Sequence, residues 1–218
     1  MQESPGGLKR AVKRAVMLAS SGTPMGKLVC WHGSRKITKL ALTFDDGPHP
    51  IYTPIVLDIL AKTAARATFF LLGRQIERYP DLVERIALSG HEIGIHGYDH
   101  TSVNLPAQAK KTDALLRDRH GLRARLFRPP RGELCARDGL WMLAHGFQTV
   151  LWSFDALDSA RSEGKVSCTI AYDRILPGDI VLLHDDNALC AAELSDLVAN
   201  TAQRALAPSS VSELLAAR

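Results

Sequence analysis

Short hydrophobic runs alternate with longer stretches of mixed hydrophobic and polar residues from residue 40 onward. The short runs are typical of buried β-strands, and the mixed stretches have the spacing of amphipathic helices. The predicted strands cover residues 40–44, 67–72, 92–95, 126–127, 148–151 and 180–183. The predicted helices cover residues 53–64, 81–89, 106–120, 136–144, 167–175 and 192–206. This alternation predicts an α/β fold with mostly parallel strands, as in a (β/α) barrel.

The N-terminal region has a different pattern. Residues 8–19 place hydrophobic side chains on one face and basic side chains elsewhere, which predicts a basic amphipathic helix. Such a helix either packs on its own domain, which we favour, or associates peripherally with an anionic membrane. Residues 25–36 are predicted to be irregular. We therefore divide the chain into an N-terminal arm, 1–37, and one α/β domain, 38–218.

Composition narrows the class of protein. The chain has 218 residues and 46% hydrophobic content, enough to bury the core of one domain, and we expect a monomer. A net charge of +4 with scattered basic residues gives no support for a nucleic-acid partner. The four cysteines are far apart and form no Cys-x-x-Cys pair, so we expect neither a thiolate metal site nor a disulfide framework.

No targeting or membrane-spanning segment is predicted. No hydrophobic run approaches the roughly 20 residues that span a bilayer. The hydrophobic piece at residues 15–19 is shorter than a secretory core of about 7–15 residues. We therefore expect no signal peptide and a cytoplasmic location.

Two adjacent carboxylates, Asp45 and Asp46, end the first predicted strand before Gly47 and Pro48 turn the chain. Aspartate is a poor strand former, and neighbouring carboxylates at a buried strand end repel each other. A cation would offset this repulsion, so one hypothesis is that one aspartate binds a metal while the other acts as a base. The alternative is a solvated Asp-Asp-Gly-Pro turn, and this stretch alone does not distinguish them.

Two histidines, His96 and His100, follow the third predicted strand, four residues apart. With Asp46 they form a set of two imidazoles and one carboxylate, which leaves coordination positions open, as in catalytic zinc sites. Other divalent ions also accept nitrogen and oxygen ligands. Polar residues follow further predicted strands at Arg128, Asp155 and His184. Because the active site of a parallel barrel forms at the C-terminal ends of its strands, one pocket would collect all these residues.

Five motifs occur in order between residues 38 and 210: Thr43-Phe-Asp-Asp-Gly-Pro48, His96-x-x-x-His100, Arg128-Pro-Pro-Arg-Gly132, Trp152-Ser-Phe-Asp-Ala-Leu-Asp158 and Leu182-Leu-His-Asp185. Together they resemble the polysaccharide deacetylases of carbohydrate esterase family 4, the NodB-homology domain. The resemblance implies a distorted (β/α) barrel that hydrolyses N-acetyl or O-acetyl groups of an acetylated saccharide. It also implies one divalent metal ion, with Zn²⁺ expected and Co²⁺, Ni²⁺ or Mn²⁺ as alternatives.

The resemblance implies a role for each matching residue. Asp46, His96 and His100 would bind the metal ion. Asp45 would act as the catalytic base and His184 as the general acid that protonates the leaving group.

The remaining motif residues would support these groups. Arg128 and Asp158 would orient the catalytic carboxylate and the catalytic histidine. Arg131 occupies the position whose backbone N–H stabilises the oxyanion. The residues expected to contact the substrate are Leu182, Pro130 and Trp152.

The sequence departs from the family pattern at two positions. Ser159 follows the second aspartate of the fourth motif where a tryptophan is usual, which weakens the expectation of long-polymer binding. Arg131 replaces a common aromatic residue, which favours an acidic or phosphate-linked sugar. Two rival functions remain: another C–N hydrolase on this scaffold, such as a deformylase or cyclic-amide hydrolase, and a sugar-binding protein that has lost turnover.

Overall fold

A curled sheet of short parallel strands organises the chain in the computed structural model, which describes residues 29–217. The strands within that range are β1 (Val29–Cys30), β2 (Lys39–Asp45), β3 (Thr68–Leu71), β4 (Glu92–Ile95), β5 (Leu126–Phe127), β6 (Gln148–Val150), β7 (Phe154–Asp155), β8 (Ile180–His184) and β9 (Ala207–Ser209). Their order is β1-β6-β5-β4-β3-β2-β8-β7, and β9 pairs with the beginning of β2.

Helices connect most of these strands. They are α1 (Tyr52–Thr63), α2 (Gly73–Arg78), α3 (Pro80–Leu88), α4 (Leu105–His120), α5 (Ala136–Ala144), α6 (Asp158–Ser162), α7 (Ala188–Gln203) and α8 (Val211–Ala216). Parallel strands need such crossover connections, because each strand must begin again at the same end of the sheet. The predicted α/β fold, a distorted (β/α) barrel, is confirmed.

The curvature of the sheet is shown by β6 and β7, which are separated only by residues 151–153. β6 pairs with β1 and β5 near one edge of the sheet, whereas β7 pairs with β8 at the other edge. The three-residue connection can join strands at opposite edges of the sheet only because the sheet curls and brings these edges close together. This curl also places the C-terminal ends of the central strands around one opening.

Strand β2 lies at the centre and is buried on both faces. Leu40, Leu42 and Phe44 pack in the large core cluster beneath the helices. Ala41 belongs instead to a smaller cluster on the other face, together with Phe70 and side chains from β5, β6 and β8.

Two local predictions were wrong. The helix predicted at 167–175 is a loop containing one 3-10 turn, Tyr172–Arg174, and the β-branched Thr169 and Ile170 within it have low helix propensity. The segment 25–36, predicted to be irregular, contains Val29–Cys30, whose pairing with β6 starts the sheet before residue 38.

The predicted helix at 8–19 lies outside the described residues. Within residues 29–217, no helix has the length and hydrophobicity to cross a bilayer.

The packing of β2 gives a testable prediction. The buried ring of Phe44 stacks on that of Phe69, with centroids 4.9 Å apart. We expect Phe44→Ala to lower the free energy of unfolding by about 3–5 kcal/mol, because it leaves a cavity in the core. Urea denaturation measures this change. Leu88→Ala is the control, since Leu88 is 88% exposed, and its effect should stay below about 0.5 kcal/mol. Equal effects would contradict the assigned packing.

Candidate active site

The three predicted metal ligands lie together where β2 and β4 end. The Asp46 Oδ1 atom is 3.6 Å from His96 Nε2 and 3.4 Å from His100 Nε2. One potential ligand atom from each residue lies within 4.8 Å of the others. Ligand atoms about 2.0–2.2 Å from a tetrahedral zinc ion lie about 3.3 Å from one another, so these separations suit a single ion.

The environment of Asp46 also fits a cation. Its Oδ1 atom is buried and has no hydrogen-bond partner among the described residues, a costly state for a carboxylate oxygen. Burial, followed by the negative charge of Asp45, raises the pKa of Asp46 to about 7. The backbones of Asp46 (φ 74°) and His100 (φ 62°) are left-handed, a strained conformation that is concentrated at functional sites. A bound divalent ion would satisfy the orphaned oxygen and stabilise its charge.

His96 is oriented as a ligand by the residue that follows β5. Its Nδ1 atom lies 2.8 Å from the backbone carbonyl oxygen of Arg128. A carbonyl can only accept a hydrogen bond, so Nδ1 carries the proton and Nε2 keeps its lone pair towards Asp46. Burial lowers the pKa of His96 to about 4, which keeps the ring neutral at pH 7. Neutral imidazole is the form that binds metals.

The guanidinium of Arg128 is completely buried and holds the neighbouring Asp45 in place. Its Nη1 atom donates to Asp45 Oδ1 and to the hydroxyl of Thr43, both at 2.8 Å. Its other nitrogens donate to the backbone carbonyls of Val150 and Leu151 at 3.3 and 3.2 Å. Arg128 thus connects β2 to β6 through hydrogen bonds. The second oxygen of Asp45, Oδ2, lies 3.7 Å from Nε2 of His96, one of the candidate metal ligands.

The partly buried His184 and the buried Asp158 form a second pair next to Asp45. In the register of β2 and β8, His184 is the partner of Asp45. Its Nδ1 atom is 3.0 Å from Asp158 Oδ1, and its backbone N–H donates to the other oxygen of Asp158 at 2.8 Å. Burial alone would lower the pKa of His184, but Asp158, Asp45 and Asp46 raise it to about 10. The imidazole is therefore a proton donor at neutral pH.

The residues predicted to stabilise the oxyanion or to contact the substrate lie on different elements of the barrel. Arg131 (φ 57°) forms a left-handed turn after β5, and its exposed side chain contributes, after burial, to a lowered pKa of His100. Leu182 lies on β8 between its partners on β2 and β7, and Pro130 is buried. Trp152 is half-buried in the stretch between β6 and β7, and its ring centroid lies 5.8 Å from the guanidinium carbon of Arg128.

Sequence reasoning missed the supporting roles of two residues, Asp185 and Asn187. Asp185 is completely buried and accepts a hydrogen bond from the hydroxyl of Thr53. Burial raises the pKa of Asp185 to about 7, and a side chain at Gly47 would overlap its carboxylate. Asn187 donates to Asp158 at 3.2 Å and caps α7 through Cys190. Their positions directly after His184 were the available signal.

Comparisons with known proteins agree with this geometry. A family model described as polysaccharide deacetylase matches residues 32–150. Over 199 residues the chain is 35% identical to a peptidoglycan-N-acetylglucosamine deacetylase of Bacillus cereus, with 86% of this chain and 92% of that protein covered. It is 37% identical over 153 residues to a chitooligosaccharide deacetylase of Bradyrhizobium sp., with 66% of this chain and 69% of that protein covered.

Solved structures give the same assignment. A peptidoglycan N-acetylglucosamine deacetylase in complex with a substituted benzamide superposes with a TM-score of 0.81 at 29% identity, covering 89% of this chain and 95% of that one. A CE4 family pseudoenzyme from Bacillus anthracis superposes with a TM-score of 0.77 at 25% identity, covering 86% and 68%. The resemblance carried by the five motifs is confirmed: the chain belongs to the polysaccharide deacetylase family, carbohydrate esterase family 4.

Proposed function

We propose that this enzyme hydrolyses the N-acetyl group of a glucosamine unit in a saccharide and releases acetate. The observation that carries the proposal is the meeting of a candidate base, Asp45, and a candidate acid, His184, on paired strands beside a three-residue metal site. Relatives named as peptidoglycan and chitooligosaccharide deacetylases support an acetylated saccharide as the substrate.

Asp46, His96 and His100 would hold one divalent ion, for which we propose Zn²⁺. When bound, such an ion supplies Lewis acidity, which polarises a carbonyl group and lowers the pKa of water. Asp45 takes the proton from the attacking water. Its Oδ2 atom is the accepting atom, because Arg128 already occupies Oδ1. The buried ion pair keeps this carboxylate in one orientation throughout the reaction.

Attack on the acetyl carbon places negative charge on the amide oxygen. The backbone N–H of Arg131 is the proposed donor to this oxyanion, an interaction worth roughly 3–4 kcal/mol in other enzymes. As the C–N bond breaks, the Nε2 atom of His184 gives its proton to the leaving nitrogen. Asp158, bonded to Nδ1, holds the ring in the required orientation. The products are acetate and the free amine of the sugar, and Leu182, Pro130 and Trp152 are the proposed substrate contacts.

The two rival functions predict different chemistry. A deformylase or cyclic-amide hydrolase would use the same base and acid on a different acyl group. A protein that has lost turnover would bind the sugar without releasing acetate, and a pseudoenzyme does occur among the structural neighbours. The complete set of base, acid and candidate ligands supports turnover.

One prediction of the proposed function concerns metal binding. We expect His96→Ala to weaken Zn²⁺ binding by more than about 100-fold, because it removes a direct ligand. Isothermal titration of the chelator-treated protein measures the affinity, which should correspond to one ion per chain in the wild type. His145→Ala is the matched control, since His145 is exposed and lies against Trp141. Unchanged affinity in His96→Ala would exclude the proposed ligand set.

A further prediction of the proposed function concerns proton transfer. We expect Asp45→Asn and His184→Ala each to lower kcat for acetate release from N-acetylglucosamine oligomers by about 10²–10⁴-fold. Zn²⁺ content, measured in the same samples, should persist in both variants and so separate lost catalysis from lost metal. Wild-type rates in either variant would refute the assigned roles. Release of formate, or ring opening of cyclic ureides, in the absence of acetate release would favour the rival hydrolase.

A further inference from the structure

The two histidines of the proposed metal site are held in different ways. The side chain of His96 is 3% exposed, and its Nδ1 atom is fixed by the backbone carbonyl of Arg128. The side chain of His100 is 36% exposed, and its Nδ1 atom makes no hydrogen bond with any group of residues 29–217. Metal-binding imidazoles usually donate their second N–H to a partner that orients the ring. The position of His100 therefore depends on its backbone.

That backbone belongs to residues 96–104, which join β4 to α4. His100 (φ 62°) and Asn104 (φ 51°) are both left-handed, a conformation that persists at non-glycine residues only where the surroundings hold it. At the start of α2, two backbone N–H groups donate to the carbonyl oxygens of Gly97 and Tyr98 at 3.1 and 2.9 Å. These two contacts fix only the part of the loop that precedes His100.

Gln108, in the first turn of α4, contacts the loop on both sides of His100. Side chains of a helix point towards its N-terminus, so a residue in the first turn can reach the segment before the helix. The Oε1 atom of Gln108 accepts hydrogen bonds from the backbone N–H groups of the two residues before His100, at 2.7 and 3.3 Å. Its Nε2 atom donates to the backbone carbonyls of Thr101 and Val103 at 3.1 and 2.7 Å, and to the Thr101 hydroxyl at 2.8 Å.

The chemistry of this contact requires an amide. A carboxamide presents an acceptor on one side and two donors on the other, which matches the N–H groups before His100 and the carbonyls after it. A glutamate would place oxygen atoms against those carbonyls, and a methionine would satisfy neither side. The loop also leaves space for the amide, because a Cβ atom at Gly97 would lie only 2.9 Å from Oε1 of Gln108.

We propose that Gln108 is a positioning residue of the metal site, which holds the loop so that Nε2 of His100 stays beside Asp46, at 3.4 Å. The proposal rests on the proposed metal ligands and adds to them a residue that contacts neither the ion nor the substrate. A loop that is already ordered loses less conformational entropy when His100 coordinates an ion. Gln108 thereby raises the affinity of the site for its metal.

Gln108→Met tests the proposal. Methionine has a similar length and a high helix propensity, so α4 is preserved while all the hydrogen bonds of the amide are lost. We expect Zn²⁺ to bind about 10–100-fold more weakly, the usual effect of removing a residue that orients a metal ligand. Isothermal titration of the chelator-treated protein measures the affinity. The matched control is Gln203→Met, since Gln203 is exposed on α7 and makes no side-chain hydrogen bond with any other described residue.

Two further measurements separate positioning from a general loss of stability. A destabilised fold would lower the urea midpoint equally with and without Zn²⁺. A positioning role instead reduces the rise in midpoint that Zn²⁺ produces, because that rise depends on the dissociation constant. The visible absorption of bound Co²⁺ reports the number and geometry of its ligands. At saturating Co²⁺ we expect a changed spectrum in Gln108→Met and the wild-type spectrum in Gln203→Met.

The possible failures have different signatures. If the wild type binds one Zn²⁺ ion and Gln108→Met binds it with equal affinity and an unchanged Co²⁺ spectrum, the positioning role is refuted and the proposed function stands. If the wild type takes up neither Zn²⁺ nor Co²⁺, the ligand set itself is wrong, and both the proposed function and the role of Gln108 are refuted.

Discussion

The buried guanidinium of Arg128 connects the barrel interior to the reactive end of the molecule. Its side chain fixes Asp45, and its backbone carbonyl fixes the tautomer of His96. One residue thus orients both the proposed base and a proposed metal ligand. Breaking a buried ion pair by removing one partner typically costs about 3–5 kcal/mol, because the other charge is left uncompensated. The adjacent strand β6 and the residue after it supply the carbonyls of Val150 and Leu151 to this guanidinium. The site therefore depends on the curvature of the sheet, which brings Asp45 on β2 within hydrogen-bond distance of Arg128 after β5.

Much of the fold could be predicted from hydrophobic patterning. The central strands are continuous hydrophobic runs because they are buried on both faces, and that signal is local. The missed elements, among them β7, α6 and α8, contain only two to six residues, too few to show a period. The helix predicted at 167–175 was wrong for a different reason, since its β-branched Thr169 and Ile170 have low helix propensity and only a 3-10 turn forms there.

The sequence was sufficient to predict the metal-binding residues of the candidate site, but not the buried residues that hold them in position. Asp46, His96 and His100 lie at strand ends, and parallel topology brings strand ends together. The burial of Asp185 beneath Gly47 depends instead on the approach of two loops that are distant in the sequence, which no local pattern encodes.

The extreme shortness of the outer strands has a consequence for behaviour in concentrated solution. β7, at one side of the curled sheet, contains two residues, and β1, at the other side, also contains two within residues 29–217. An incoming chain that tried to extend the sheet would find very few free backbone N–H and C=O groups with which to pair. The part of the barrel formed by residues 29–217 thus offers other molecules little template for strand addition, although most of its strands are strongly hydrophobic.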